Sequence, residues 1–451
     1  MSSMSSLRHL EIRGCWGLSC MPRWLGRLSN LQTMPMFITG EERGRTISEL
    51  EHLNLIGGGL KITNLVNVRD PLEATKADLA SKTNLQSLVL MWNILSYMES
   101  AASPVSEVEE VFERLQPHSN LKNLRISGYP GIKIPTWMAR MELASSPIRN
   151  LVTIWLMGLK RCEYLPALGH LPLLESLYVT RMPAVRRIGV EFCGDGGIFP
   201  SLRSLNMSGL RDLEEWSAEA TAAGKSVMPF PCLEEFKLTE CPKLRVSPRV
   251  PPSVVKVTIE GDRLLFAVTT GGLYRLKSLT IRNCEALSSP FRWEWMQDLT
   301  ALTSLHIRDD KLMCLPEGIL QLRMPSLQEF YLVFRNLKSI SGEERDKQQQ
   351  PPTFFMTIQL LELYSTKNLT ALPEWLGSLT ALQKLWISDC PQLLARRCER
   401  ERGEDWPKIA HIPWIDISPA KATEEDREEN SQRSITSLIR KLRLTSCTGH
   451  G

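Results

Sequence analysis

A short pattern of apolar residues, repeated along most of the chain, constrains the fold more than any other feature of the sequence. In the stretch LTALPEWLGSLTALQKLWISDCPQL, the spacing L-x-x-L-x-L is formed by Leu382, Leu385 and Ile387. Because side chains alternate along a β-strand, this spacing places the aliphatic residues on one face and leaves Lys384 and Trp386 on the other. One such strand cannot bury its own apolar face, whereas a stack of copies can.

The pattern recurs in thirteen clear copies, most of which begin 21 to 31 residues apart. A single copy indicates no more than an ordinary amphipathic strand, but the series is typical of a leucine-rich repeat. We therefore predict an α/β fold, a leucine-rich repeat solenoid (horseshoe) with a concave parallel β-sheet and a convex side of irregular segments and short helices. The copies begin at Leu7, Leu85, Leu121, Leu151, Leu174, Leu202, Leu233, Val254, Leu276, Leu302, Leu327, Ile358 and Leu382, with looser matches near Leu31 and Leu60.

The 451 residues do not require several domains, because a solenoid grows by adding repeats rather than by enlarging one core. We predict one leucine-rich repeat domain over residues 1–417, followed by a tail whose polar composition predicts disorder. The departures from the repeat period are insertions at about 40–82, 94–112 and 342–352, a C-terminal cap at about 396–417, and the tail at 418–451.

Local signals refine this outline. In the first insertion, Asp70 precedes Pro71 and predicts the start of a helix that continues to about Ser81, with Glu73 placed to reach back to the Asp70 amide. The second insertion predicts a short helix at its end, whereas residues 218–227 and 342–352 predict flexible loops. Apolar faces are predicted at Leu72, Ala74, Ala77, Leu79 and Ala80 of the first helix and at Ile409, Ile412, Ile415 and Ile417 of the cap.

Composition narrows the possible partners and location. The 54 basic and 50 acidic residues nearly balance, which disfavours nucleic acid as the main partner. We find neither the apolar core of a signal peptide nor an apolar stretch of the roughly 20 residues that a membrane helix needs, so we predict a cytoplasmic protein with no membrane span. Four cysteines, at the eighth residue after the first apolar residue of a repeat, are predicted to pack as small hydrophobic residues: Cys15, Cys241, Cys284 and Cys390.

No motif predicts catalysis. The sequence AAGKSV lacks the first glycine of a phosphate-binding loop, because Glu219 stands there, and the glycines that begin at Gly57 are best interpreted as a turn. The seven histidines are scattered and form no HExxH motif. We therefore predict neither an enzyme nor a cofactor or metal site.

Solenoids of this type bind partners along their concave strands, so the side chains between the leucines are the candidate contact residues. Aromatic residues and arginine contribute most often to protein interfaces. The alternative for each position is an ordinary solvated strand face. The predicted partner-binding residues are Trp155, Tyr178, Tyr331, Tyr364, Trp386, Arg125, His306 and Arg308.

Three stretches resemble the repeat region of plant intracellular disease-resistance proteins of the coiled-coil, nucleotide-binding (NB-ARC), leucine-rich repeat type. The first runs from LEIRGCWGL to LQSLVLMW and includes the segment NV…EA…A.L..K after Val68. The second comprises the repeats FPSLRSLNMSGLRDLEEW and FPCLEEFKLTECPKL, and the third is the ending CPQLLARRCERERGEDWPKIAHIP. Together they span nearly all of residues 1–417.

The resemblance implies a role in defence, in which the repeats bind a pathogen effector or a guarded host protein and hold a nucleotide-binding switch inactive. The given sequence has no phosphate-binding loop and no NB-ARC module, so nucleotide binding and switching are not implied for it. The first repeat begins at Leu7 without a polar cap, which favours a truncated gene product over a stand-alone chain. The alternative is a leucine-rich repeat scaffold or adaptor unrelated to immunity.

Overall fold

The computed structural model contains two compact units. Unit 1 comprises Met1–Ala286 with Trp295–Leu302, and unit 2 comprises Leu287–Glu294 with Thr303–Gly451. The single domain over residues 1–417 remains a prediction. The structure describes residues 6–12, 14–15, 17–92, 104–139, 146–194, 197–217, 220–222, 225–246, 249–261, 272–284 and 293–420.

The main sheet of unit 1 is parallel, and its strands pair in the order in which they follow one another along the chain. From the repeat near Leu31 onward, each repeat contributes one strand, as the spacing of the leucines predicts. The main strands are β1 (Met36–Ile38), β2 (Gly58–Thr63), β3 (Leu85–Met91), β4 (Asn123–Ser127), β5 (Thr153–Met157), β6 (Ser176–Thr180), β8 (Ser204–Ser208), β12 (Glu235–Thr239), β13 (Lys256–Glu260) and β14 (Ser278–Arg282).

Two small pairings accompany this sheet. Strands β7 (Arg187–Ile188) and β9 (Glu215–Trp216) pair in parallel, whereas β10 (Ala220–Ala222) and β11 (Lys225–Val227) form an antiparallel hairpin. The flexible loop predicted at residues 218–227 is therefore wrong in its described part, which pairs as a hairpin.

Unit 2 repeats the same plan with five parallel strands that pair in chain order. The predicted α/β leucine-rich repeat fold is confirmed in both units, each of which contains a parallel sheet formed by strands of successive repeats. The strands are β15 (Ser304–Arg308), β16 (Glu329–Val333), β17 (Leu360–Tyr364), β18 (Lys384–Cys390) and β19 (Trp414–Pro419).

The segments between the main strands contain only short helices in the described residues, because each returns the chain to the next strand within one repeat. The α-helices are α1 (Pro71–Lys76), α2 (Val105–Arg114), α3 (Thr136–Ala139), α4 (Glu317–Leu320), α5 (Glu343–Asp346), α6 (Gln392–Arg397) and α7 (Trp406–Ile409). The 3₁₀ helices are Leu25–Arg27, Ile47–Leu50, Leu65–Asn67, Leu79–Ser81, Val190–Cys193, Glu294–Asp298, Thr353–Phe355 and Glu374–Ser378.

Burial along the strands has the predicted period of two. In β5, Ile154 and Leu156 are buried, whereas Thr153, Trp155 and Met157 are only half-buried. The strands β4, β6, β8, β14 and β16 keep the same alternation of their apolar residues. The aliphatic residues therefore form the core of each unit and leave one face of the sheet for other side chains.

The first insertion contains the predicted helix in shortened form. Helix α1 ends at Lys76, and the rest of the predicted span contains the 3₁₀ turn Leu79–Ser81. Most of the predicted apolar face is correct, but Leu72 and Ala80 are exposed. The strand β2 begins at Gly58, so the predicted turn at the glycines is also wrong.

Asp70 caps α1, since its carboxylate accepts a hydrogen bond of 2.8 Å from the Leu72 amide. Replacing Asp70 with alanine is expected to lower the free energy of unfolding by about 1 kcal/mol, the usual contribution of a helix N-cap. The measurement is urea denaturation. Asp70→Asn, which keeps an acceptor oxygen, should remain within about 0.5 kcal/mol of the parent. Equal losses in the two variants would contradict the capping role.

The second insertion contributes α2, which is the short helix predicted at its end; residues 93–103 lie outside the described residues. Phe112 of α2 packs against Trp92, Tyr129 and Trp137, with ring centroids 4.7 to 5.7 Å from its own. Four aromatic side chains therefore attach the inserted helix to the repeats.

In the third insertion, helix α5 occupies Glu343–Asp346, so the predicted loop is wrong there, whereas residues 347–352 contain neither helix nor strand. Asp346 at its end accepts hydrogen bonds from the Ile340 amide at 3.1 Å and the Ser341 amide at 3.0 Å. Of the four cysteines predicted to pack, Cys241, Cys284 and Cys390 are buried, but Cys15 is exposed, and the described residues of the first repeat form no strand. Burial raises the pKa of Cys241 to about 12, in keeping with a packed thiol.

The C-terminal segment adds a strand to the sheet of unit 2. Strand β19 pairs in parallel with β18, and Ile415 and Ile417 align with the buried Leu385 and Ile387. Ile409 and Ile412 are buried, whereas Ile415 and Ile417 are only half-buried at this edge.

Candidate functional site

The solvent face of unit 1 contains a continuous row of residues that align from strand to strand. Val89 of β3 aligns with Arg125 of β4, then Trp155 of β5, Tyr178 of β6 and Asn206 of β8. We call these five residues the unit 1 row. Each of them lies between two buried apolar residues of its strand, so the sheet geometry alone brings them together.

Trp155 and Tyr178 form the centre of this row. Their ring centroids are 5.1 Å apart and their planes differ by 12°, which is a stacked pair. Neighbouring strands lie roughly 4.8 Å apart, so the stacking follows from the register of β5 and β6. Both side chains are half-buried, so part of each ring remains exposed on this face of the sheet.

Arg125 lies beside this aromatic pair. Its Nη2 donates to the sulfur of Met157 at 3.5 Å, while its Nε is buried and has no hydrogen-bond partner among the described residues. The Oδ1 atom of Asn206, at the other end of the row, is also buried without one. Buried polar atoms of this kind are stabilised when a ligand supplies the missing hydrogen bond.

Unit 2 has a corresponding row with different chemistry. His306, Tyr331, Glu362, Trp386 and Asp416 align across β15 to β19. We call these residues the unit 2 row. The rings of His306 and Tyr331 stack with a centroid distance of 3.9 Å and planes 7° apart.

A tyrosine from the neighbouring row contacts this row. Tyr364 donates a hydrogen bond of 2.5 Å from its hydroxyl to Oε2 of Glu362. Burial, together with this hydrogen bond and the charge of Glu362, raises the pKa of Tyr364 to about 12. Burial and the carboxylates of Glu329 and Glu362 likewise raise the pKa of Tyr331 to about 12, so both hydroxyls stay protonated at neutral pH.

The aromatic surface of unit 2 continues to its last strand. The ring of Trp386 lies 5.8 Å from that of Tyr364 and 6.1 Å from that of Trp414, measured between centroids. Trp414 is 43% exposed. The Nε1 atom of Trp386 is buried and lacks a hydrogen-bond partner in the described part of the chain.

The eight predicted contact residues therefore fall into groups. Arg125, Trp155 and Tyr178 lie together in unit 1, whereas His306, Tyr331 and Trp386 belong to the unit 2 row. Tyr364 lies beside that row. Arg308 aligns with Val333, which in turn aligns with Tyr364.

Sequence reasoning missed Trp414 and Asp416 as face residues. The segment was interpreted through its isoleucines as a cap, but the alternation in Trp414–Pro419 is also that of a repeat strand. The period of two in this segment was the signal that could have identified both residues.

Comparison with known proteins shows which proteins these repeats resemble. Residues 47–182 match the family described as R13L1/DRL21 LRRs. The chain is 34% identical over 420 residues to RGA4 of Solanum bulbocastanum and 34% identical over 425 residues to RGA1 of the same species, both named for disease resistance. Over about nine tenths of its own length, the chain is similar to these plant disease resistance proteins. The predicted resemblance is confirmed.

Each alignment covers most of this chain but less than half of the relative. The alignment with RGA4 covers 91% of this chain but 39% of RGA4, and that with RGA1 covers 89% and 38%. This leucine-rich repeat chain thus spans about two fifths of the length of these relatives. The matched family consists of leucine-rich repeats, which serve as scaffolds for protein interaction.

Solved leucine-rich repeat structures were also found. The plant peptide hormone receptor RGFR1, in complex with RGF2, has 14% identity and a TM-score of 0.34 over 92% of this chain and 71% of that chain. The Leptospira interrogans protein LIC12759 has 15% identity and a TM-score of 0.33 over 92% of this chain and 97% of that chain. Within the described residues, none of the helices is long and apolar enough to cross a bilayer.

Proposed function

We propose that this chain is the protein-recognition region of a plant disease-resistance receptor and acts in the cytoplasm. In this role the repeats bind a pathogen effector or a guarded host protein, hold a nucleotide-binding module inactive, or do both. The sequence relationship to RGA4 and RGA1 supports the defence setting. The binding role depends on the arrangement of the solvent faces.

The observation that carries the binding role is the stacked pair of Trp155 and Tyr178 beside Arg125. Aromatic residues and arginine dominate the energetics of protein interfaces, especially where the surrounding contacts exclude water. Small polar residues flank the pair on one side, at Asn123, Thr153 and Ser176, whereas on the other side Met157 lies between Ser127 and Thr180.

A direct test uses two sets of candidate partners. The purified chain is immobilised and exposed to a panel of pathogen effector proteins, and separately to the part of RGA4 that lies outside the aligned region. We expect at least one to bind. The double variant Trp155→Ala, Tyr178→Ala should then weaken that binding by about 30-fold, equivalent to about 2 kcal/mol, as expected of a central aromatic pair.

The control replaces an equally large aromatic residue away from the unit 1 row. Tyr274 is 68% exposed in a turn before β14, so Tyr274→Ala should leave the affinity within about twofold of the parent. Partner affinity that is unchanged in the double variant would rule out the unit 1 row as the contact surface. Absence of binding to every effector and to the RGA4 region would contradict the proposed function.

A further inference from the structure

The unit 2 row alternates aromatic and acidic side chains toward its C-terminal end. Trp386 is aligned with Glu362 on one side and with Asp416 on the other, and Glu362 is aligned with Tyr331 on its far side. Because adjacent strands lie roughly 4.8 Å apart, the indole of Trp386 is bracketed by two carboxylates. An aromatic ring, which attracts cations, therefore lies beside two negatively charged carboxylates.

Glu362 is poorly solvated for a charged residue, with only 9% of its surface exposed. Its hydrogen-bond partner is the neutral hydroxyl of Tyr364, and no lysine or arginine among the described residues forms an ion pair with it. A carboxylate withdrawn from water is destabilising unless a positive charge or several donors compensate it. The position therefore favours a cation supplied from outside the chain.

The surrounding rings suit a planar cation. Trp386 and Trp414 meet edge to face at 78°, and Tyr364 lies on the other side of Trp386 at an angle of 48°. Cations are attracted to the faces of such rings, tryptophan most strongly. A guanidinium group can stack on an indole and donate to a carboxylate at its edge, whereas an ammonium group has no planar face to stack.

We propose that the unit 2 row binds an arginine side chain from a basic segment of a partner protein, with the guanidinium on Trp386 and its donors directed to Glu362 and Asp416. This inference rests on the proposed function, because it specifies the partner chemistry of one part of the recognition surface. It adds a charge requirement that the family relationship does not supply.

Two cations of the chain itself lie on the same face of unit 2. Lys384 aligns with Leu360 and Trp414 rather than with either carboxylate, and Arg308 belongs to β15, two strands from Glu362. Neither forms an ion pair with the row in the described structure. Lys384 nevertheless repels a positive ligand, so Lys384→Met is expected to strengthen binding of such a ligand by about threefold.

The test measures binding of a fluorescein-labelled peptide of alternating glycine and arginine to the full chain by fluorescence anisotropy, at about 0.15 M salt. The expected result is saturable binding that is weakened at least about tenfold by Glu362→Gln, which preserves shape and removes charge. Trp386→Leu should weaken binding by a similar factor, because it removes the aromatic face. The corresponding glycine–lysine peptide should bind several-fold more weakly.

The matched control is Glu343→Gln, which removes the same charge from α5 of the same unit and should change the affinity less than about twofold. Equal effects of Glu343→Gln and Glu362→Gln would indicate general attraction of a basic peptide and would overturn the proposal. Saturable binding that is unaffected by Glu362→Gln and Trp386→Leu, or equal affinity for the lysine peptide, would also overturn it. Thermal melting of each variant establishes that the fold is retained.

This experiment separates the inference from the proposed function. It uses a synthetic peptide and unit 2 variants, whereas the effector and RGA4 assays rely on natural partners and unit 1 variants. Failure of the peptide to bind would exclude the arginine site and leave recognition by the unit 1 row intact. Failure of every natural partner, with the peptide still bound, would reject the defence role alone.

Discussion

Replacing Asp405 with alanine is expected to lower the free energy of unfolding of unit 2 by about 2 to 3 kcal/mol, because it removes a buried carboxylate that accepts several charge-assisted hydrogen bonds. Asp405 lies in the C-terminal segment and is fully buried. Its carboxylate accepts from Nε and Nη2 of Arg397, both at 3.0 Å, from Nζ of Lys408 at 2.7 Å and from the Leu372 amide at 3.0 Å. Alanine would remove this acceptor from Arg397 and Lys408, whose side chains are 29% and 13% exposed.

The same network predicts how acid affects unit 2. Burial alone would raise the pKa of Asp405, but hydrogen bonds from Arg397, Lys408 and the Leu372 amide hold it below its usual value of 3.8. A carboxylate with a lowered pKa in the folded state stabilises that state above pH 3.8, and this contribution is lost as the pH falls through the lower folded-state pKa. The difference in stability between the parent and Asp405→Ala should therefore shrink only below pH 3.8.

Urea denaturation and amide hydrogen exchange over residues 392–419 would measure this effect. The control is Glu404→Ala, because Glu404 also pairs with Arg397 but its side chain is 75% exposed. An exposed pair contributes at most about 1 kcal/mol. Losses of similar size in the two variants, or unchanged exchange in Asp405→Ala, would contradict the role assigned to the buried carboxylate.

Lys82 in unit 1 is expected to make the free energy of unfolding depend strongly on pH in the alkaline range. The side chain is fully buried, and its Nζ donates to the Leu50 carbonyl oxygen at 2.8 Å and to Oδ1 of Asn54 at 3.1 Å. Burial lowers its pKa from 10.5 to about 8, although the charge of Asp78 acts in the opposite direction. The folded state therefore releases the Lys82 proton more readily than the unfolded state does.

The direction of the effect follows from proton linkage. Between about pH 8 and 10.5 the unfolded chain holds the Lys82 proton and the folded chain does not, so the folded state gains stability as the pH rises. Below pH 8 both states are protonated, and the penalty for the buried charge is fully present. We expect the parent to gain about 2 to 3 kcal/mol relative to Lys82→Met between about pH 7 and 10.

The comparison with Lys82→Met is the essential control. Tyrosines, cysteines and the other lysines also titrate in this range. They are common to both proteins, so their contributions cancel in the difference in stability. The unsatisfied oxygens that the methionine leaves behind add an offset that does not vary with pH. A stability difference that is constant from about pH 7 to 10, measured by urea denaturation, would show that Lys82 is not a proton-linked group.

The C-terminal segment was predicted as a cap, but it also contains strand β19, and this difference illustrates what a repeat pattern can predict. The isoleucines of the ending indicated a segment that covers the last coil, and Ile409 and Ile412 are indeed buried. The pattern did not indicate that Trp414–Pro419 pairs with β18, because two consecutive elements, α6 and α7, interrupt the repeat before it. Trp414 and Asp416 were missed for this reason.

The insertions were predicted less well than the repeats. Asp70 and Pro71 correctly located the start of α1, because capping is a local interaction between neighbouring residues. The end of the helix depends on packing, and α1 stops at Lys76 instead of continuing to Ser81. In the polar segment GEERDKQQQPP, α5 forms where Asp346 accepts from the backbone of the preceding loop, an arrangement that composition does not reveal.

The sequence by itself determined the repeat class, the parallel strands and the face of each strand that is exposed. This was possible because the alternation of buried and exposed side chains is a property of a single strand, and each repeat carries it. The candidate residues followed from the same alternation, so all eight lie in strands as half-buried face residues.

Only the tertiary structure decided which of these residues are neighbours. The register between strands stacks Trp155 on Tyr178 and brackets Trp386 with Glu362 and Asp416, although Glu362 and Asp416 are far apart in the chain. It also placed the charge of Asp405 in a buried network with four donors. The contacts within the two rows join different repeats, and the pattern within one repeat contains no information about them because each repeat must only bury its own leucines.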